Sequence, residues 1–410
     1  MNERTLAFLY APELDKLSYP DDCPFKTQRL GLTRQRLLYL GLLGGPGRLE
    51  LAPRPATRAE LEAIHTPRYL DELQRAAAGD LTVAGVQMGL GGPDTPVFKD
   101  MYAWGAWACG GALVAAECLL AGRADIVFNL AGGFHHAFPE QAGGFCYLND
   151  VALACQRLAA AGKRVAYVDI DAHHGNGVQE VFYRRKDVLT ISLHETGRTL
   201  YPWSGFENEI GEGPGTGFNV NVPLPPETYD EAFLRAYRGI VPPLLRAYNP
   251  DVIVTEMGMD ILAGDPLTHL SLTNNVVAEI ARQLLSFGRP LLVAGGGGYN
   301  VEHTVRGWTL AWHTFANDED EDVFSLGIGG VLMGSSEWVG GLRDRQLPVP
   351  TDRRQRVDTE LDATLRTLRQ TIFKHHGLET LPADAAGPPA DGQSPAESGC
   401  PSSLKSHTTT

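Results

Sequence analysis

Val165-Ala-Tyr-Val-Asp-Ile-Asp-Ala-His-His-Gly-Asn-Gly177 is the stretch from which the rest of this chain can be read. Its first six residues, Val165–Ile170, form an apolar, β-branched run broken by one acid. That is the pattern of a strand buried on both faces of a parallel sheet. Asp171 and His173 follow, one residue apart, so in extended backbone their side chains point the same way. Four more runs read as buried strands: Ile126–Leu130, Val188–Leu193, Val252–Thr255 and Leu291–Ala294. Helical patterns, such as Asp150–Ala161 and Tyr229–Tyr248, lie between them. The alternation predicts an α/β fold: one open, mostly parallel β-sheet with helices on both faces.

The unusual residues cluster at the carboxyl ends of those strands. His135-His136 follow Ile126–Leu130 through Gly132-Gly133, Asp169, Asp171 and His173 end Val165–Ile170, and Asp260 follows Val252–Thr255. Gly295–Gly298 and then Tyr299 follow Leu291–Ala294. Open α/β sheets build their sites at this edge. Asp171, His173 and Asp260 make an oxygen/nitrogen/oxygen set suited to Zn²⁺, with Fe²⁺ as the alternative, and three protein ligands leave a position open for water. The competing reading is a strand-end cap at Asp171 and a satisfied loop histidine at His173; an acid from a second strand favours the metal. Two histidines in a pocket suit general acid–base work, because imidazole titrates near neutral pH. The glycine run has neither the Lys-Ser/Thr of a phosphate loop nor dinucleotide spacing. Its glycines instead let the backbone approach a ligand and aim Tyr299 inward.

The 410 residues are 43% hydrophobic and 20% charged, with a formal net charge of −14. That balance argues against gripping nucleic acid and favours encounter with Lys-rich partners. The six cysteines, Cys23, Cys109, Cys118, Cys146, Cys155 and Cys400, include no Cys-x-x-Cys pair. This is neither a disulfide framework nor a zinc knuckle, and it suits a reducing compartment. Met1-Asn-Glu-Arg4 carries an early acid with no sustained apolar core after it, so no signal peptide is expected. The longest apolar stretch, Trp104–Leu120, is broken by Gly110-Gly111 and Glu117, and Arg123 and Asp125 follow it. It reads as a buried helix rather than a membrane span, and the location expected is cytoplasmic. From Leu378 the chain turns to Pro, Ala, Gly, Ser and Thr, which predicts a disordered tail over 378–410 behind a folded domain of residues 1–375. The sequence specifies no oligomeric state.

Taken together the motifs resemble the zinc-dependent histone deacetylase family, nearest to its bacterial acetoin-utilisation-type members. The resemblance runs in order from Pro24-Phe25-Lys26-Thr27-Gln28-Arg29 through Asp94-Thr95-Pro96 and Gly133-Phe134-His135-His136 to Gly144-Phe145-Cys146-Tyr147. It continues with Asp169–Gly177, Ser192-Leu193-His194, Asp260–Pro266 and Gly295–Asn300. It implies the arginase/deacetylase fold, Zn²⁺ on Asp171, His173 and Asp260, and a structural K⁺ on Asp169, Asp171, His173, Ser192 and Leu193. His136 would be the general base, His135 its electrostatic companion held by Asp169, and Tyr299 the donor to the substrate carbonyl and then to the oxyanion. Gly144, Phe145, Tyr201 and Leu267 would line an acyl-lysine tunnel, with Gly297 also against the substrate, and Asp94 would grip the substrate backbone.

The activity implied is metal-dependent hydrolysis of acetyl- or short acyl-lysine in proteins. A deacetylase of acetylpolyamines or another small amide is the alternative, and a non-catalytic acyl-lysine binder comes third. Leu267 brings no acid to meet a polyamine ammonium, which favours the protein substrate. A two-metal ureohydrolase would need further acids where His174-Gly175-Asn176 stands. Two residues depart from the family pattern. Asn176 stands where some branches carry aspartate, and Tyr201 replaces the usual tunnel phenylalanine. A neutral amide supports imidazolium less than a carboxylate does, so Asn176 should lower the pKa of His136. His174 has no role in this reading.

Overall fold

Val165–Asp169 (β4) lies inside an eight-stranded sheet, bonded to Val188–Glu195 (β5) on one side and Val252–Glu256 (β7) on the other. The computed structural model describes residues 4–317 and 341–379, which belong to one compact unit. The remaining strands are Leu6–Leu9 (β1), Arg48–Leu51 (β2), Ile126–Asn129 (β3), Asn219–Leu224 (β6) and Leu291–Ala294 (β8). Their order is β2-β1-β3-β8-β7-β4-β5-β6, and every neighbouring pair is parallel. The sheet expected from the sequence is therefore present, wholly rather than mostly parallel.

All five predicted strands occur, Leu291–Ala294 with its expected bounds and the other four with one end shifted by one or two residues. The three that the sequence reading passed over are β1 and the two edges. β2 alternates polar and apolar residues and is only half covered. β6 contains Pro223, which has no N–H to donate; a strand bonded to β5 alone can tolerate that. The sheet's central strands are buried throughout.

The apolar stretch at Trp104–Leu120 is the helix Met101–Leu120, against Asp150–Ala160 and β3. Among the described residues it is the one helix long and apolar enough to cross a membrane, and 72% of its apolar window is buried inside the protein. Asp230–Tyr248 runs on through Pro242 and Pro243, held by Ile240, Val241, Leu244 and Leu245 in the core. The helix Thr351–Thr371 buries Val357, Leu361, Leu365 and Leu368, a stripe at helical spacing, and lies against β6 and Asp230–Tyr248. Cys23, Cys109, Cys118, Cys146 and Cys155 are all free thiols. Cys400 and the expected tail beyond Glu379 lie outside the described residues.

Gly110 shows how tightly the core helix is covered. A Cβ there would stand 1.7 Å from the Arg54 carbonyl oxygen and 2.6 Å from the Ala56 nitrogen. Gly110→Ala should therefore destabilise the protein by about 1–3 kcal/mol, although alanine favours helix. Urea unfolding measures it, and an unchanged midpoint would show that the 54–56 segment is free to move aside.

Candidate active site and metal centre

The parallel register gathers the strand-end residues. Asp169 is paired with Ser192 of β5 and with Glu256 of β7. Asp171 and His173 leave the end of β4, and Asp260 leaves the end of β7. All three are buried, and a ligand atom from each lies within 4.8 Å of the others. His173 Nδ1 is 3.2 Å from Asp171 Oδ1 and 2.9 Å from Asp260 Oδ2. The remaining carboxylate oxygens are held by backbone: Gly297 N–H donates to Asp171 Oδ2 at 2.6 Å, and Ala172 N–H to Asp260 Oδ1 at 3.0 Å. A Cβ at Gly297 would come within 2.1 Å of Asp260 Oδ2, so glycine is demanded there by the ligand carboxylates.

This donor set fits a divalent cation. Burial pushes the Asp260 carboxyl up to about 7, and the charge of Asp171 adds to the shift. Burial alone would lower His173, yet hydrogen bonds to Asp171 and Asp260 outweigh it and lift the imidazole to about 10. Two buried carboxylates around one nitrogen call for more positive charge than neutral imidazole supplies, which is what a metal ion provides.

His135 and His136 lie beside the triad, their rings 4.1 Å apart. His136 Nδ1 meets Asn176 Oδ1 at 2.9 Å, and that oxygen also accepts the Gly177 N–H. Nδ1 therefore carries a proton and Nε2 presents a lone pair. His135 Nδ1 is 2.9 Å from Asp169 Oδ2, and its Nε2 is 3.1 Å from His136 Nε2. The contact is attractive only if His135 donates from both nitrogens. Burial opposes that charge, but Glu256, Asp169 and Asp171 raise His135 well above its ordinary value. Burial, with the positive charge of His135, holds His136 well below its own.

Glu256 is the acid the sequence reading missed, although it ends the apolar run Val252–Thr255 just as Asp169 ends its own. It is fully buried. The Tyr167 hydroxyl stands 2.7 Å from Glu256 Oε2 and 2.8 Å from Asp169 Oδ2. Glu256 Oε1 is 3.2 Å from His135 Nδ1 without a well-aligned bond. His135, Asp169 and Glu256 form a second potential ligand group beside the first.

Aromatic rings pack in series beside Asp171, His173 and Asp260. Tyr201 packs on His136 at 5.1 Å, His136 on His173 at 5.8 Å, His173 on Tyr299 at 6.2 Å and Tyr299 on Phe145 at 5.9 Å. Gly144 packs against two of them, since a Cβ there would stand 2.3 Å from the His136 ring and 3.0 Å from Tyr201. Phe145 holds a left-handed backbone at φ 65°. Its N–H donates to the Asp94 carbonyl and its carbonyl accepts from the Tyr19 hydroxyl. Asp94 also accepts the Gly144 N–H at 3.0 Å, so it braces this wall directly.

Three more residues that the sequence reading left without a role hold the site. Arg29 is buried and donates to the carbonyls of Gly298 and Gly296, beneath the loop that carries Tyr299. Asp265 accepts the N–H groups of Tyr299, at 2.8 Å, and of Leu267, at 2.9 Å. His174 bonds Ser204 and Gln179, tying down the segment that follows Tyr201. Ser192 Oγ, placed beside Asp169, meets His194 Nδ1 at 2.8 Å. Burial and the nearby Asp260 and Asp171 carboxylates keep the Tyr299 hydroxyl protonated, hence a donor.

Comparison with known proteins matches residues 23–315 to a histone deacetylase domain. The chain belongs to the histone deacetylase family. It is 40% identical over 317 residues to the acetoin utilization protein AcuC of Bacillus subtilis (strain 168), covering 75% of this chain and 81% of that one. To AcuC of Staphylococcus aureus (strain MRSA252) it is 38% identical over 328 residues, 78% of this chain and 83% of that one. A crystal structure of an HDAC homolog complexed with SAHA superposes with a TM-score of 0.77 at 30% identity, over 90% of this chain and 100% of the other. The HDAC homolog from Aquifex aeolicus gives the same TM-score and identity, over 88% of this chain and 100% of the other. Family and fold thus agree with the resemblance read from the motifs, down to its bacterial acetoin-utilisation branch.

For a histone deacetylase family member, the Asn176 amide beside His136 has a measurable consequence. A carboxylate there would stabilise the imidazolium, keeping His136 protonated to higher pH. Asn176→Asp should move the acid limb of the kcat/KM profile upward in pH, with metal content unchanged. Superimposable profiles would rule out His136 as the group titrating in that limb.

Proposed function

We propose that this protein hydrolyses the amide bond of acetyl-lysine, or of another short acyl-lysine, in proteins, releasing the carboxylate and free lysine, with Zn²⁺ at Asp171, His173 and Asp260. The observation that carries this reading is the series of rings Tyr201, His136, His173, Tyr299 and Phe145, in which His173 is itself one of those three residues. Such a wall of rings admits a slender chain ending in a flat amide and excludes bulk.

A divalent ion held there supplies Lewis acidity towards the carbonyl and a more acidic water. The chain's own residues do the rest. His136 Nε2, unprotonated, receives the water's proton and later returns one to the departing amine. His135, positively charged against Asp169, offsets negative charge as it develops. The Tyr299 hydroxyl donates to the oxygen that gains charge only in the transition state. Asp94, already bonded to Gly144, has a second carboxylate oxygen for the substrate backbone N–H. Gly144, Phe145, Tyr201 and Leu267 flank the acyl chain, while Gly297 acts through Asp171. Asp169 and Ser192, adjacent across β4 and β5, offer oxygens for K⁺ with Asp171, His173 and Leu193.

Purified protein should cleave acetyl-lysine peptides faster than acetylpolyamine and lose activity to a chelator. The reverse preference would overturn the protein-substrate reading, and full activity without metal would overturn the mechanism. Tyr299→Phe removes one oxyanion donor, worth roughly 3 kcal/mol, so turnover should fall about a hundredfold. Metal content should stay the same, and unchanged turnover would remove Tyr299 from its assigned role.

A further inference from the structure

Glu195 ends β5, and its carboxylate is fully buried. Its backbone N–H donates to the carbonyl of Ala172, the residue between Asp171 and His173. Its side chain reaches two other segments. Oε2 accepts the His269 N–H at 2.9 Å, while Oε1 accepts from His269 Nδ1 at 2.8 Å and from the Thr199 hydroxyl at 2.9 Å. An ionised carboxylate offers only lone pairs, so Nδ1 of His269 carries the proton.

The positions of these partners give the arrangement its meaning. Thr199 stands two residues before Tyr201, and His269 stands two residues after Leu267. One carboxylate thus ties the Tyr201 segment to the Leu267 segment, and its backbone anchors both to the metal-ligand segment. Asp265 extends the connection, since it accepts from Leu267 and from Tyr299. A carboxylate buried at this cost, bonded to an imidazole that is itself 59% exposed, is not explained by packing. An apolar side chain would fill the space but could not bond three donors on two loops.

We propose that Glu195 is a positioning residue for substrate selection. Resting on the function proposed above, it sets the separation of Tyr201 and Leu267, the two sides of the entrance, and so determines how closely the acyl chain is gripped. It takes no part in the proton transfers. Loosening the clamp therefore weakens binding and blurs discrimination between acyl groups, while the reacting end keeps its geometry.

The test uses the full chain, metal-loaded, as wild type, Glu195→Gln and Thr199→Val. Glutamine keeps one acceptor oxygen but turns an NH₂ towards a donor, whereas Thr199→Val removes one strut only. For an acetyl-lysine peptide, Glu195→Gln should raise KM about fivefold or more with kcat within about twofold. The ratio of kcat/KM for acetyl- over butyryl-lysine should move by about fivefold, with Thr199→Val shifting both readings the same way by less. Amide hydrogen exchange should quicken at 199–203 and 265–269 in both variants. A fall in kcat with KM and acyl ratio unchanged overturns the proposal, as does unaltered exchange in those segments. If Glu195→Gln does not fold, Thr199→Val decides by the same readings. A wild type inactive on every acyl-lysine peptide overturns the proposed function instead, and the exchange data then decide the clamp alone.

Discussion

Four carboxylates, Asp169, Asp171, Glu256 and Asp260, lie buried at one edge of one sheet, and the rest of the site answers to that concentration of charge. Carboxylates taken out of water must be met by donors or cations. Backbone N–H groups of Gly297, Ala172, His173 and Asp171 meet some of the oxygens. His135, His173 and the Tyr167 hydroxyl meet others. A divalent ion completes the balance. Because the charges can be brought this close only by parallel strands ending level with one another, the register of β4 with β5 and β7 is what makes the chemistry possible.

Glycine is the price of that convergence. A Cβ at Gly258 would stand 2.1 Å from Asp171 Oδ2, and one at Gly133 2.1 Å from the Gly296 nitrogen. Gly133 and Gly296 also have positive φ, so two independent constraints select the residue at each. The glycine run after β8 serves the ligand carboxylates first and the Tyr299 side chain second.

Much of this was legible in the sequence. Val165–Asp169 and its neighbours are largely apolar runs rich in β-branched residues, and acids or histidines at or after their ends mark the edge of the sheet. β1, Leu6-Ala-Phe-Leu9, has no β-branched residue to mark it, β2 carries polar residues because it is only half covered, and β6, though buried, is interrupted by Pro223. Asp171, His173 and Asp260 were readable because their spacing or their place after a strand is local information. The roles of Glu195, Asp265 and Arg29 were not readable, although the last two lie inside quoted motifs, since what defines each role is a bond to a residue 74, 34 or 267 positions away. Glu256 fell between these cases: its strand-end position was visible, but its partners Tyr167 and His135 come from β4 and from the loop after β3.

The helix Thr351–Thr371 has a consequence for where the domain ends. The family match closes at residue 315, whereas β6 and Asp230–Tyr248 are covered by a helix that starts thirty-six positions later. His376 adds a bond from Nε2 to the Gly217 carbonyl, just ahead of β6. A fragment cut at the family boundary would bare one flank of Asp230–Tyr248 and the outer edge of β6 to water, an open strand edge of the kind that recruits its own copies. The packed unit is thus longer than the matched domain, and among the described residues the helix Thr351–Thr371 shields that edge from self-association.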